Sequence, residues 1–304
     1  MDRIRGCFYG CAVGDALGAP LEFSVRDTLP LVTTMQPLIR FRLPAGSWTD
    51  DTSMMLCLAA SIAVRGGLDA FSELSHYSEW WENGYLSSSG TCFDIGHTTT
   101  LALHNFDETR AVVAPTTSDG CCGNGSLMRI APVPIYAFLR CGGDARSAED
   151  RAWRLGSESS ATTHAHPLCK DACGLFAALV TCALHGESKA TLLERLASYA
   201  ARVSDARLVV LCSAVFLTKS RDEISSSGFV LDTLEAALWA FFSTPTFVDG
   251  VVLAVNLADD ADTVGAVYGT LAGAFYGIYA IPNEWIDGLQ GRRMLDGVFA
   301  DLVA

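Results

Sequence analysis

Two short segments concentrate the side chains best suited to chemistry. One is residues 46–52, reading GSWTDDT; the other is residues 259–263, reading DDADT. They lie far apart in the chain, yet each sets neighbouring carboxylates beside a threonine just before a stretch of helical periodicity. One reading is local. Asp and Thr cap helices by accepting from the free N–H groups of the first turn, and anions gain from the positive helix end. A cap needs only one oxygen, however. Carboxylates placed side by side repel unless a cation or protons compensate, and hard divalent cations favour clustered oxygen ligands. Taken singly, each segment leaves cap and ligand set equally open. Taken together, with no cysteine or histidine beside them, they favour one shared site for a magnesium- or manganese-type ion.

The elements that must position these groups are helical. Apolar residues recur at three- and four-residue spacing over 53–64, 168–184, 190–203, 206–217 and 231–242. Clean strand alternation is missing. Segments rich in Gly, Pro, Ser or Asp predict loops at 30–45, 84–96, 115–125 and 225–228. Two glycine stripes stand apart from this pattern. Gly6, Gly10, Gly14 and Gly18 fall every four residues, as do Gly265, Gly269, Gly273 and Gly277. On a helix that spacing lines up one face, and each glycine costs about 1 kcal/mol against alanine. Such a face predicts another backbone at close range, the two stripes packing on each other. A phosphate-binding loop is disfavoured, because the spacing is not GxGxxG and no strand precedes it.

Composition narrows the classes. The chain has 304 residues, half of them hydrophobic, and a net charge of -13. It is long enough to bury a large core, and one domain spanning 1–304 is expected. An acidic chain has no bulk attraction for phosphate backbones, which argues against non-specific nucleic-acid binding. Eleven cysteines without CxxC pairs point to free thiols in a reducing cytoplasm. The basic start followed by apolar residues imitates a signal peptide, but Asp15 interrupts it. The uncharged stretch 264–281 is rich in Gly and Ala and follows an acidic cluster, so a buried helix is expected there and no membrane span. No exposed heptad pattern is visible, and a monomer is expected.

The chain resembles the ADP-ribosylglycohydrolase family, the group that includes the dinitrogenase reductase-activating glycohydrolases. The resemblance is carried by residues 6–23 (GCFYGCAVGDALGAPLEF), 46–52 (GSWTDDT), 93–99 (FDIGHTT), 123–132 (GNGSLMRIAP), 162–167 (TTHAHP) and 228–285, in the family's order. It implies an all-α, compact orthogonal multi-helix bundle and hydrolysis of an ADP-ribosyl glycosidic bond, with ADP-ribose as product. It implies two Mg2+ ions, or Mn2+, held by Thr49, Asp50 and Asp51 on one side and by Asp260, Asp262 and Thr263 on the other. Glu22 matches a glutamate that moves over the site and assists proton transfer, with Asp262 as the second catalytic carboxylate. Asp94, Gly96 and His97 match a loop near the distal ribose. Gly125, Ser126 and Met128 match the loop that receives the pyrophosphate, and His164 a histidine near the ligand. Without the family, Glu22 would read as a surface carboxylate and His164 as a structural hydrogen-bonder.

Three positions depart from the family pattern. Ala258 and Asp259 stand where two glycines are common, His97 where asparagine is common, and Phe229 where tyrosine is common. The extra carboxylate of Asp259 either perturbs the metals or points to solvent. The expected target is an ADP-ribosylated protein, arginine being the first acceptor considered, then serine, an acetyl ester or nucleic acid. Two alternatives are a non-catalytic ADP-ribose binder that keeps the fold, and a two-metal phosphoester hydrolase that would release phosphate or AMP.

Overall fold

The computed structural model describes residues 1–115 and 118–304, so positions 116–117 of the expected loop 115–125 lie outside the described residues. The helices in chain order are α1 (Asp2–Gly18), α2 (Asp50–Arg65), α3 (Ala70–Asn83), α4 (His97–Thr109), α5 (Pro132–Arg140), α6 (Ala145–Thr163) and α7 (Pro167–Leu184). They continue as α8 (Lys189–Tyr199), α9 (Ala206–Cys212), α10 (Val230–Ser243), α11 (Phe247–Val255), α12 (Ala261–Tyr276), α13 (Asn283–Gly288) and α14 (Arg292–Val303). Among the described residues, pairing of the β type is limited to three isolated bridges. The all-α expectation holds. One apolar cluster draws side chains from every one of these helices.

The glycine stripes meet as expected. α1 and α12 run antiparallel, and theirs is the most extensive helix–helix contact among the described residues. A Cβ on Gly6, Gly10 or Gly14 would overlap the carbonyl oxygen of Gly273, Gly269 or Gly265 respectively. Gly18 faces the carbonyl of Ala261 in the same way. Only backbone fits between the axes, so Asp15, next to Gly14, and Asp262, next to Ala261, enter the same small region. Gly277 is the exception in its stripe. It follows α12 at a φ of 83°, where glycine alone is unstrained, and a Cβ there would strike the Asp2 carboxylate.

Two expected helices are shorter than their periodicity. The one over 206–217 ends at Cys212, because Ala214 turns left-handed at a φ of 57° and the chain resumes as the 3-10 turn Val215–Thr218. The one over 190–203 stops at Tyr199, whose carbonyl is taken by Arg202 N in a closing turn at 2.8 Å. The stretch 264–281 lies mainly in α12, which is buried from Ala261 to Ala274. α7 is, among the described residues, the one helix long and apolar enough to cross a membrane, and 83% of it is buried inside the protein. Among the described residues no disulfide joins any of the cysteines.

Candidate active site

The two acidic segments converge. α2 starts beside the α1–α12 contact, and Thr49 Oγ1 lies 3.0 Å from Asp15 Oδ1, 3.2 Å from Asp262 Oδ2 and 3.4 Å from Asp51 Oδ2. Thr263 Oγ1 is also 3.4 Å from Asp51 Oδ2. A hydroxyl carries one proton, so Thr49 satisfies one of its three carboxylates at a time. The capping account fails at both segments. Asp69, Asp144, Asp205, Ser188 and Thr246 cap their own helices through side chains, whereas neither Thr49 on α2 nor Asp260 on α12 does.

Oxygens are left over in the same place. Asp51 Oδ1, Asp262 Oδ1, Glu22 Oε2 and Asp94 Oδ2 are buried without a hydrogen-bond partner. Carboxylate oxygens of Glu22, Asp94 and Asp262 lie within 4.8 Å of one another. Orphaned buried acceptors of this kind are rare and costly. Burial first, and then the neighbouring carboxylates, hold Asp50, Asp51 and Asp262 well above the ordinary carboxylate range. Glu22 is raised by burial, then by Asp262 and Asp94. An array that resists ionising in isolation is one that a divalent cation would relieve, and its all-oxygen donor set suits magnesium or manganese.

Asp15 is the member that sequence reading missed. It is fully buried and accepts from Thr49 N at 3.0 and 3.1 Å, from Thr52 N at 3.0 Å and from Thr52 Oγ1 at 2.6 Å. Burial raises its carboxyl to about 6, against the opposing pull of these donors. It ties α1 to the first turn of α2. The available signal was a single charge inside an otherwise apolar, glycine-striped run, because aspartate is almost never fully buried without partners.

A cavity of about 610 Å³ opens over these groups, within the ~300–1,000 Å³ usual for small-molecule sites. Its acid end is lined by Glu22, Asp50, Asp94, Asp260, Asp262 and Thr263. Gly123, Asn124, Gly125, Met128 and His164 also line it, together with Gly96 and His97 at the start of α4. Two of the isolated bridges brace the cavity from outside its lining. Glu22 pairs with Asp259, and Gly123 with Phe229. Asn124 Nδ2 donates to Asp260 Oδ2 at 3.0 Å and to Thr233 Oγ1 at 2.8 Å, linking the glycine loop to the acid end. Phe23, Thr98 and Thr99, at the ends of segments that carry the resemblance, also line the cavity, as do Arg40 and Phe41, which had no signal in residue type or spacing.

Other expected residues face elsewhere. The Ser126 hydroxyl lies 2.9 Å from Ser160 Oγ and 3.3 Å from Cys173 Sγ, inside the core, which leaves its backbone alone for a ligand. Ser126→Ala should therefore cost about 1 kcal/mol of stability and leave the calorimetric affinity for ADP-ribose unchanged; a large loss of affinity would contradict the geometry. Phe229 does not line the cavity. Its backbone pairs with Gly123 while its half-buried ring lies under the Arg207 guanidinium, 5.6 Å away. Thr49 and Asp51 lie behind the lining residues. His164 is buried with Nδ1 2.8 Å from Thr163 Oγ1, and burial followed by Arg129 lowers it to about 3, so its imidazole is neutral at physiological pH. His166 is occupied: Nδ1 accepts from Leu168 N at 3.2 Å, so the proton sits on Nε2, 3.1 Å from Asp119. With both nitrogens engaged, the nearby Asp119, Cys122 and His166 do not form a ready metal site.

The Ala258 and Asp259 departures have a backbone explanation. Both residues are left-handed, with φ of 61° and 59°, a conformation glycine adopts freely and other residues only at some strain. The Asp259 side chain is exposed and outside the cavity, so the extra carboxylate points to solvent.

An all-helical frame that converges carboxylates under a glycine-lined cleft defines a class of hydrolase, and comparison with known proteins specifies which. Residues 1–304 match the ADP-ribosylglycohydrolase family model, and the chain belongs to that family. ADP-ribosylarginine hydrolase Tri1 of Pseudomonas putida is 39% identical over 302 residues, 99% of this chain and 78% of that protein. ADP-ribosyl-[dinitrogen reductase] glycohydrolase of Rhodospirillum rubrum is 30% identical over 313 residues, 98% of this chain and 96% of that protein. A solved structure described as an ADP-ribosylglycohydrolase-related protein complex superposes with a TM-score of 0.83 at 35% identity, covering 99% and 97% of the two chains. The chain is thus an enzyme that hydrolyses ADP-ribosyl bonds.

Proposed function

We propose that this enzyme removes ADP-ribose from arginine side chains of a modified protein, using two divalent cations of the magnesium type. The cations would be held by Thr49, Asp50 and Asp51 from one side and by Asp260, Asp262 and Thr263 from the other. The observation that carries the metal reading is the single Thr49 hydroxyl set among three carboxylates, with Asp51 Oδ1 and Asp262 Oδ1 left unpartnered. The arginine reading draws on relatives whose names specify ADP-ribosylarginine and ADP-ribosyl-dinitrogen reductase.

Bound cations supply positive charge that engages the ribose hydroxyls and lowers the pKa of a water. The protein supplies the rest. Gly123 and Gly125 offer backbone N–H groups to the pyrophosphate, Asn124 N being taken by Gly228 O at 3.1 Å, and Arg40 is the one arginine among the lining residues. Neutral His164 offers a ring nitrogen beside that loop without adding charge. Asp94 and Gly96 flank the distal ribose. Glu22, at the acid end with Oε2 unpartnered, manages the proton that leaves or joins the glycosidic bond as positive charge builds on the anomeric carbon. We read the molecule as a cytoplasmic monomer, its cysteines free of disulfides among the described residues as suits a reducing compartment.

The test is release of free ADP-ribose from ADP-ribosylarginine, with and without magnesium or manganese. Release should require the cation and fall by at least about a hundredfold in Asp262→Ala. Equal release by that variant overturns the mechanism, and release only from serine, acetyl-ester or nucleic-acid conjugates overturns the arginine assignment.

A further inference from the structure

The cavity does not end at its acidic wall. Phe23 lines it and also lines a second groove of about 670 Å³. That groove is formed by Val25, Arg26, Asp222, Ile224 and Asp259. A smaller depression shares Val25 and extends it to Leu29 and Leu31. Phe23 is 60% exposed, Val25 72% and Leu31 66%. Apolar side chains presented together in this way mark interaction surfaces.

The segment that presents them is held in place. Phe23 N donates to Asp259 O at 2.7 Å, and Asp259 N to Ser24 O at 3.0 Å. The Arg26 guanidinium donates to the carbonyls of Arg221, Ile224 and Leu257 at 2.7, 2.7 and 3.0 Å. Arg221 is paired with Asp27, and Glu223 is held by Ser220. Three carboxylates, those of Asp222, Glu223 and Asp259, therefore face one groove cation, Arg26. At the junction with the cavity, Arg40 stacks on Phe23 at 4.4 Å and on Phe41 at 5.1 Å. Asp259 adds its charge in a left-handed conformation that a glycine would hold without strain.

The position of the cut bond decides what lies there. On the reading above, the bond is cut beside Glu22, the chain neighbour of Phe23. Phe23 lines both spaces, so the groove gives the acceptor a path away from the cut bond. We propose that this groove holds the polypeptide flanking the modified arginine and selects segments with basic and apolar side chains. The proposal rests on the arginine-directed reading above.

Three substrates test it: free ADP-ribosylarginine, a peptide with the modified arginine flanked by Lys and Leu, and one flanked by Glu and Ser. For the wild type, KM for the basic peptide should be about tenfold below that for the acidic one, equivalent to 1.4 kcal/mol. Val25→Lys and Asp222→Lys, both at exposed positions, should abolish that difference and leave kcat/KM on free ADP-ribosylarginine within about twofold. Equal KM values for the two peptides, or variants that preserve the difference, overturn the proposal. If free ADP-ribosylarginine is not cleaved at all, the arginine reading is what fails. The groove is then read by fluorescence anisotropy of the unmodified basic peptide, which should bind the wild type and bind both variants more weakly; equal binding overturns it.

Discussion

Gly10→Ala is expected to lower stability by about 3 kcal/mol or more, while Gly297→Ala raises it slightly. Both add one methyl group to a helix, and on propensity alone both should help, by roughly 0.5–1 kcal/mol. Their surroundings differ. A Cβ on Gly297, on α14, meets nothing within 4 Å. One on Gly10 overlaps the carbonyl oxygen of Gly269, a backbone atom that cannot rotate away. Relief comes only from separating α1 and α12, so the cost belongs at or above the upper end of the ~1–3 kcal/mol typical of overpacking. Separation would also draw Asp15 from its Thr49 and Thr52 donors, so activity should fall along with the melting temperature. Thermal unfolding of the two variants beside the wild type checks this, with a shift of roughly 2 °C per kcal/mol expected at this chain length. Equal melting temperatures for Gly10→Ala and the wild type would remove the glycine contact as the reason the stripes exist.

What the sequence disclosed and what it concealed follow from the range of the forces involved. The glycine stripes were legible because four-residue spacing is local and glycine's cost in a helix demands a reason. The acidic segments were legible because carboxylates side by side are a conflict on any backbone. Neither said how the segments meet. The four-residue step from Gly14 to Gly18 and the antiparallel register on α12 decide that, and register is a property of two helices together. Asp15 was hidden because its partners, Thr49 and Thr52, come from another part of the chain. Arg129 was hidden in the same way: its fully buried guanidinium pairs with Glu73 at 3.5 Å and donates to Gly125 O at 2.8 Å, holding the glycine loop from below. Ser126 and Phe229 show a different limit. A motif gives a residue's place in a loop, but the direction of its side chain is set by packing. The helix expected over 206–217 failed at Ala214, where apolar periodicity continues through a left-handed residue that composition does not mark.

Asp262→Asn should yield a protein more stable than the wild type in the absence of divalent cations, and nearly inactive. Without a cation, Asp50, Asp51 and Asp262 share a buried space with their carboxyls raised well above the ordinary range. A carboxyl whose folded pKa exceeds its unfolded value of about 4 stabilises the fold most fully below that unfolded value. The contribution is lost as pH rises through the folded value. The cation-free protein should therefore weaken from about pH 4 through neutrality. Magnesium bound there as proposed would compete with those protons, so the rise in melting temperature that it produces should be larger at pH 8 than at pH 5. Asparagine keeps an oxygen for the Thr49 hydroxyl, 3.2 Å from Asp262 Oδ2, and removes one charge. At pH 8 without cations the variant should gain about 1–3 kcal/mol. Its magnesium-induced shift should shrink by more than half, and its turnover should drop on the order of 10²–10³-fold. Differential scanning fluorimetry at both pH values, with and without magnesium, reads the first two effects, and ADP-ribose release reads the third. A variant less stable than the wild type without cations, with its magnesium shift intact, would mean that Asp262 is held for the fold. Gained stability together with lost turnover and a smaller magnesium shift would assign Asp262 to cation binding and not to the fold.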